Sequence, residues 1–226
     1  MERFFDIFFS GIALTLLIPF FLPIILILRF SGEGEIFFTQ ERIGRGGKVF
    51  RLYKFATMLK NSPNIGTGTV TMRADPRVLP VGKFLRKTKI NELPQLLNIF
   101  IGDMSLIGPR PLTEQTFGSY SLDIQEIVKQ VRPGLSGVGS IIFRGEEEIL
   151  YGSTASIDFY DNIIAPYKGS LEQWFVLNKG LYIYFLGIFL TVWTVLAPKT
   201  KLTWIVLRDL PVPPKELKQA LNYVSK

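Results

Sequence analysis

The sequence predicts an α+β protein, mainly helical, that attaches to a membrane, and three observations carry that reading. A run of 22 uncharged residues, from Ile7 to Leu28, stands near the front of the 226-residue chain. Two short aromatic and β-branched stretches, Ile36 to Gln40 and Val49 to Phe55, flank Gly44, Arg45, Gly46 and Gly47, which is a hairpin pattern. Beyond Pro80 the apolar positions change to helical spacing. The length suits one domain, or one domain with a membrane element, and excludes a large multidomain architecture.

The front run contains only Ser10 and Thr15 as polar residues and is long enough to cross a hydrocarbon core of roughly 30 Å. A cleavable signal fits less well, because the run is too long and no small-residue cleavage site precedes Arg29. Pro19 and Pro23 lie inside it, and each removes a backbone donor and crowds the preceding turn, so a sharp break is expected there. Two geometries follow: a kinked span, or a re-entrant helix-break-helix that turns near Pro19 and leaves on the side it entered. Charge bears on the choice. Glu2, Arg3 and Asp6 carry no positive excess, whereas residues 29–90 hold 13 Lys and Arg against 4 Asp and Glu, which places that block in the cytoplasm. On the residues alone the ordinary span, with Met1 outside, is slightly favoured.

Composition narrows the chemistry. The chain has no His and no Cys, which excludes a Cys or His nucleophile, a His base, disulfides and the usual zinc ligands. Carboxylates, hydroxyls, Lys and Arg remain, with a hard oxygen-seeking cation such as Mg²⁺ as the metal still compatible with them. A net charge of +7 beside 47% hydrophobic residues suits a membrane surface, and the basic block suits an anionic partner. Nucleic acid is discounted, because the basic residues adjoin membrane-directed segments and no reader motif is present.

Each further element follows in order. The glycines at 44–47 are read as turn geometry, since no helix start with Lys-Ser/Thr follows them. Residues 61–77, rich in Asn, Pro, Gly, Thr and Arg, are expected to form a loop able to close over a ligand. Leu93, Leu96, Leu97 and Phe100 have helical spacing, and Pro94 in a first turn would put Asn91 or Glu92 near the N-cap. Arg86, Lys87 and Lys89 add positive charge ahead of a helix start that itself favours anions, so anion-binding parts gather around the carboxylate Glu92. The prolines of Gly108-Pro109-Arg110-Pro111 make a rigid turn, which on the functional reading aims Arg110 at a phosphate. Asp103 is open as a metal ligand, a cap or an arginine partner. Glu146–Glu148 read as a solvated acidic helix start. Gly180 to Ala197, uncharged and aromatic, is expected as an amphipathic interfacial helix in preference to a second span. The organisation is therefore residues 1–30 as the membrane helix, 31–210 as a membrane-associated catalytic domain and 211–226 as a tail.

Asn91-Glu92-Leu93-Pro94-Gln95, Asn98, Gly102-Asp103-Met104-Ser105 and Gly108-Pro109-Arg110-Pro111 together resemble the signature of the monotopic phosphoglycosyl transferases, a family of bacterial sugar transferases. Arg3 and Asp6, Pro19, Phe38 to Gly44, Tyr53-Lys54-Phe55 with Thr57-Met58, and Arg132 to Gly137 extend the resemblance over roughly residues 3 to 200. It implies a monotopic membrane protein whose proline-broken helix is re-entrant, with the catalytic domain on the cytoplasmic face of the bacterial inner membrane. The implied reaction moves a sugar 1-phosphate from a UDP-sugar to undecaprenyl phosphate and releases UMP, as the first membrane step of an O-antigen, capsule or exopolysaccharide. The implied partners are these two substrates and the bilayer, with a homodimer left open.

By the same resemblance an Asp-Glu dyad does the chemistry: the Asp attacks the phosphate next to the sugar, and the Glu holds Mg²⁺ with the diphosphate. Glu92 matches that Glu, Arg86 and Arg110 match the surrounding basic residues, and Lys54 is placed to help. Position 91 departs from the pattern, because Asn stands where the nucleophilic Asp is expected. Three readings stay open: an inactive form, a branch in which Glu92 or Asp103 attacks, or direct attack by the acceptor phosphate while Asn91 hydrogen-bonds. A working branch is preferred over a non-catalytic scaffold that binds the same ligands.

Overall fold

The computed structural model describes residues 1–65, 75–144, 157–197 and 200–224. Most of the anticipated 61–77 loop and the run Glu146–Glu148 lie outside the described residues. Helix α1 spans Glu2–Arg29, and the antiparallel hairpin follows as β1, Phe37–Ile43, and β2, Val49–Phe55. Next come α2 (Pro80–Lys87), α3 (Gln95–Ile101), β3 (Ser105–Ile107), α4 (Glu114–Gly118) and α5 (Leu122–Val128). Strand β4 (Gly134–Ser136) pairs in parallel with β3, and α6 (Val138–Ile142) leaves it directly. A π-helical turn, Tyr160–Ile164, runs into α7 (Ala165–Asn178), followed by α8 (Leu181–Leu196), α9 (Leu202–Val206) and α10 (Lys215–Lys218). The mainly helical α+β class with a small hairpin is thus the observed one.

Helix α1 is helical over Glu2–Arg29 and carries Pro19 and Pro23 inside it. The two prolines lie one turn apart on the outward, exposed side, while the opposite face stays packed on both sides of them. Ala13, Leu14 and Leu17 pack against Leu52, Leu96, Ile99 and Met104, and Phe21, Ile24, Ile25 and Leu28 pack against Phe55 and Leu85. Continuous inner-face packing therefore holds together a helix whose outer face lacks two backbone donors. Its first turns are tied down by polarity. Buried Asp6 accepts from Ser105 Oγ at 3.0 Å, Leu106 N at 2.9 Å and Tyr184 Oη at 2.9 Å. Outward, Phe8, Ile12, Leu16, Phe20 and Leu26 form a continuous exposed apolar face.

The first strand is longer than the expected Ile36 to Gln40 and ends at Ile43, in register with Val49. Residues opposite one another share a face, so Phe38↔Lys54, Gln40↔Leu52 and Arg42↔Phe50 put Arg42 and Lys54 on the same side of the hairpin. Asn98 of α3 locks β2 in place. Its Nδ2 donates to Arg51 O at 2.8 Å and its Oδ1 accepts from Tyr53 N at 3.0 Å, so a fully buried amide satisfies two strand groups and fixes the residue before Lys54.

Helix α8 buries Tyr184, Gly187, Leu190 and Thr194 along one face and exposes Tyr182, Phe185, Phe189 and Trp193 on the other. Gly187 permits this close seat, since a Cβ there would stand 2.8 Å from Ile107. The main core lies beneath it, with Ile107, Val138, Ile164, Leu171, Phe175 and Leu190 among its buried members.

Candidate functional site

The hairpin face, α2 and the turn ahead of α3 converge on Glu92. Lys89 adopts a left-handed backbone, φ 62°, unusual for a residue with a side chain, and reverses the chain into the short turn Ile90–Glu92. That turn changes the expected helix start. Helix α3 begins after Pro94, which is its N-cap, and neither Asn91 nor Glu92 caps it. Asn91 is buried instead, and its Oδ1 has no hydrogen-bond partner. Glu92 is half-buried beside it.

The electrostatics of this group are one-sided. Burial pulls the Glu92 carboxyl upward, but Lys54, Arg110, Lys89 and Arg86 outweigh it and hold the group below the ordinary carboxylate range. Burial brings the Lys54 ammonium down to about 8, with Glu92 opposing and Arg110, Arg42 and Arg86 adding to the fall. Arg42 is lowered to about 10, by burial and then by Arg110, while Glu92 raises it. Arg86, Arg110 and Lys54 therefore share one field with Glu92. Among the described residues, Lys54, Arg110, Lys89, Arg86 and Arg42 share the surroundings of the Glu92 carboxylate. Such a basic cluster suits a ligand that brings several negative charges, such as a diphosphate.

Arg110 is aimed by its backbone. Gly108 N donates to Ser136 O at 2.9 Å and Gly134 N donates to Pro109 O at 2.7 Å, so the turn is sewn to β4. The crossing requires glycine: a Cβ on Gly137 would lie 2.0 Å from Gly108 O. Arg110 N then donates to Glu172 Oε1 of α7 at 3.2 Å, a contact with no counterpart in the sequence reading. Glu172 is 2% exposed, its Oε2 has no hydrogen-bond partner, and burial pushes its carboxyl up to about 7. Lys168, whose charge acts on it, stands one helical turn earlier with its ammonium 5.0 Å from the Phe143 ring.

Asp103 is not brought to this group. It stands beyond the C-terminal end of α3, where its N–H donates to Asn98 O at 2.9 Å and its Oδ2 accepts from Asn98 Nδ2 at 3.3 Å. About 10 Å of helix separates it from the Glu92 end, and its side-chain partner is the Asn98 amide, not an arginine. Pro19 lies on the exposed side of α1.

Two residues of the group were missed. Arg42 was given no role of its own, yet its Nη1 donates to Pro111 O at 3.1 Å, its Nη2 donates to Gln40 Oε1, and its buried Nε has no partner. Its position opposite Phe50, on the same face as Lys54, was the available signal. Glu172 sits in a helix without a motif, and only the fold reveals it.

For Mg²⁺, the donor set is small but of the right kind. Among the described residues no three acidic side chains cluster as ligands. Glu92 supplies one carboxylate, and the orphaned Oδ1 of Asn91 is a neutral oxygen beside it in sequence, which fits an ion completed mainly by substrate phosphates.

Known proteins are similar to this chain in sequence. The chain is 36% identical over 171 residues to the exopolysaccharide production protein ExoY of Sinorhizobium fredii, covering 70% of this chain and 74% of that one. It is 34% identical over 198 residues to the UDP-N-acetylgalactosamine-undecaprenyl-phosphate N-acetylgalactosaminephosphotransferase of Aeromonas hydrophila, 87% of this chain and 44% of that longer one. It is also 34% identical over 145 residues to the undecaprenyl-phosphate glucose phosphotransferase of Komagataeibacter xylinus, 62% of this chain and 27% of that protein. The bacterial sugar transferase family is matched over residues 1–198, a stretch that holds both α1 and every residue around Glu92, and the chain belongs to that family.

Proposed function

We propose that the chain transfers a sugar 1-phosphate from a nucleotide diphosphate sugar, a UDP-sugar, to a polyprenol phosphate such as undecaprenyl phosphate. The observation that carries this is the carboxylate Glu92 set among Lys54, Arg86, Lys89, Arg110 and Arg42. The cations bind and orient two phosphate-bearing substrates and offset the charge that builds up on phosphoryl oxygens during transfer. Mg²⁺ would be held by Glu92 and Asn91 Oδ1 with the donor diphosphate, and when bound it supplies further neutralisation of phosphate charge.

The placement of the acidic groups favours direct displacement. Asn91 is neutral, Asp103 is at the other end of α3, and Glu92 is stabilised as an anion by its cations, which makes it a weak nucleophile. An acceptor phosphate oxygen therefore attacks the phosphorus that carries the sugar. The bond from that phosphorus to the UMP oxygen breaks, and UMP leaves with the electron pair. Asn91 orients a phosphate oxygen through its amide N–H.

Membrane attachment follows from α1 and α8. Both halves of α1 pack on the same globular body, which supports an entry and exit on one side in preference to the simple span first favoured. Helix α8, with one face buried and 16 residues long, supports an interfacial position. On this reading residues 1–30 lie in the cytoplasmic leaflet of the bacterial inner membrane, and residues 31–210 work at its inner face. The expected order of events places this chain at the first membrane step of a surface glycan.

The test is UMP release from a panel of UDP-sugars by the purified chain with Mg²⁺ and undecaprenyl phosphate. Release is expected with acceptor present, and intact-protein mass after UDP-sugar alone is expected to stay unchanged. A phospho-sugar adduct would overturn direct displacement. Silence of this chain together with activity of Asn91→Asp would establish the second reading, a ligand-binding scaffold, whose motivating observation is the missing carboxylate at position 91.

A further inference from the structure

A second cationic feature lies away from Glu92 and shares no residue with that group. A cleft of about 420 Å³ opens between the start of α1, the hairpin tip, the segment ahead of β4 and the start of α8, with Arg3, Arg45, Arg132 and Lys179 in its wall. Four remote parts of the chain each contribute one cation. The way three of them are held is informative. Arg3 donates from Nη1 to Ile99 O and from Nη2 to Phe100 O at 2.7 Å, Arg45 Nε donates to Gln130 O at 3.2 Å, and Arg132 Nε donates to Gly102 O at 2.8 Å. Carbonyls orient a guanidinium without neutralising it. Among the described residues none of the three has a carboxylate within ion-pair distance. The acidic wall residues are already engaged: Glu2 lies 3.5 Å from Lys179, and Asp6 accepts its three internal hydrogen bonds.

The rim indicates which anion fits. Met1 and Leu181 line the cleft, and the two helix ends that wall it also carry Phe4, Phe8, Tyr182 and Phe185, all exposed. The Phe5 and Phe185 rings meet at 4.9 Å and join those two ends into one aromatic surface. Aromatic side chains of this kind favour the headgroup layer, and basic pockets at that depth take phosphate-bearing headgroups.

We infer that the Arg3, Arg45, Arg132 and Lys179 cleft binds the phosphate headgroup of an anionic phospholipid, separately from the substrates at Glu92. The inference rests on the membrane-surface reading above. Binding here fixes the depth and rotation of the cytoplasmic domain on the leaflet, since one wall of the cleft is the membrane helix itself.

The test is flotation of the full chain with vesicles of phosphatidylcholine alone and with vesicles containing phosphatidylglycerol, at low and high salt. The chain is expected on both, with tighter partition onto phosphatidylglycerol that salt reduces. Arg45→Gln and Lys179→Gln, both at exposed positions, are each expected to lose about fivefold of that preference per cation removed. Arg132→Gln is expected to lose it as well, with its thermal midpoint recorded to separate lost binding from lost folding. Equal partition onto the two vesicles, or an unchanged preference in both exposed-site variants, would overturn the cleft while leaving the membrane reading intact. Failure to float with either vesicle would overturn both. Full competition by free glycerol phosphate would reassign the cleft to a soluble anion and overturn the lipid assignment.

Discussion

Glu92 and Glu172 are recessed glutamates on either side of Arg110, and their carboxyl groups are driven in opposite directions. For each, burial is the largest influence and acts upward. Glu92 nevertheless ends below the ordinary range, because Lys54, Arg110, Lys89 and Arg86 all act on it. Glu172 ends at about 7, because an amide hydrogen bond from Arg110 and the charges of Lys168 and Arg110 only partly offset its burial. The number of nearby cations, and not depth, decides the outcome. One glutamate thus serves as a permanent anion for charge balance, and the other is a holder of backbone that changes state near neutrality.

The largest expected effect comes from erasing the permanent anion. Glu92→Gln removes the carboxylate from among these cations and is expected to lower UMP release by about 10³-fold, with the Lys54 ammonium falling below about 8 because Glu92 is what raises it. Retained activity would remove Glu92 from the centre of the mechanism. Next is Arg110→Lys, which keeps the charge shared with Glu92 but loses the planar fork. It is expected to cost about tenfold in kcat/KM for the UDP-sugar, and an unchanged constant would mean that Arg110 acts only as a distant charge.

Lys54 provides a pH handle on the Glu92 side. A lowered ammonium carries its charge below about 8 and loses it above, so affinity for a nucleoside diphosphate is expected to fall as pH rises through 8. Lys54→Arg, always charged, is expected to flatten that fall in calorimetric titrations. The smallest effect on turnover belongs to Glu172→Gln, which preserves an acceptor for Arg110 N. For a carboxyl raised from 4.5 to about 7, the protonated folded state is favoured, so the parent chain loses stability as pH rises from about 4.5 through 7. The loss is on the order of 3 kcal/mol at full ionisation. Thermal midpoints of the Gln variant are expected to lack that decline, and a parallel decline in both chains would place the sensitivity elsewhere.

Legibility in the sequence followed composition and spacing. The hairpin was readable because Val49 to Phe55 is an aromatic and β-branched run behind a glycine-rich turn, and the α3 segment because Leu93 to Phe100 carries helical spacing. The inner face of α1 was not, since Leu14, Leu17 and Ile24 inside are chemically the same as Leu16, Ile18 and Leu22 outside. The start of α3 was misplaced because propensity rules have no means of seeing Lys89 enter a left-handed conformation. Motif spacing brought out Glu92, Arg86, Arg110 and Lys54, whereas Arg42 and Glu172 became visible only once strand register and helix packing set them beside Arg110.

The Asp6 carboxylate has a consequence for how the chain comes to be assembled. Its partners lie 99, 100 and 178 positions later, on β3 and α8. Until the last of these donors has been made, the Asp6 side chain must find its hydrogen-bond partners in water. The knot at Asp6 therefore closes as a long-range step of high contact order that joins α1, β3 and α8.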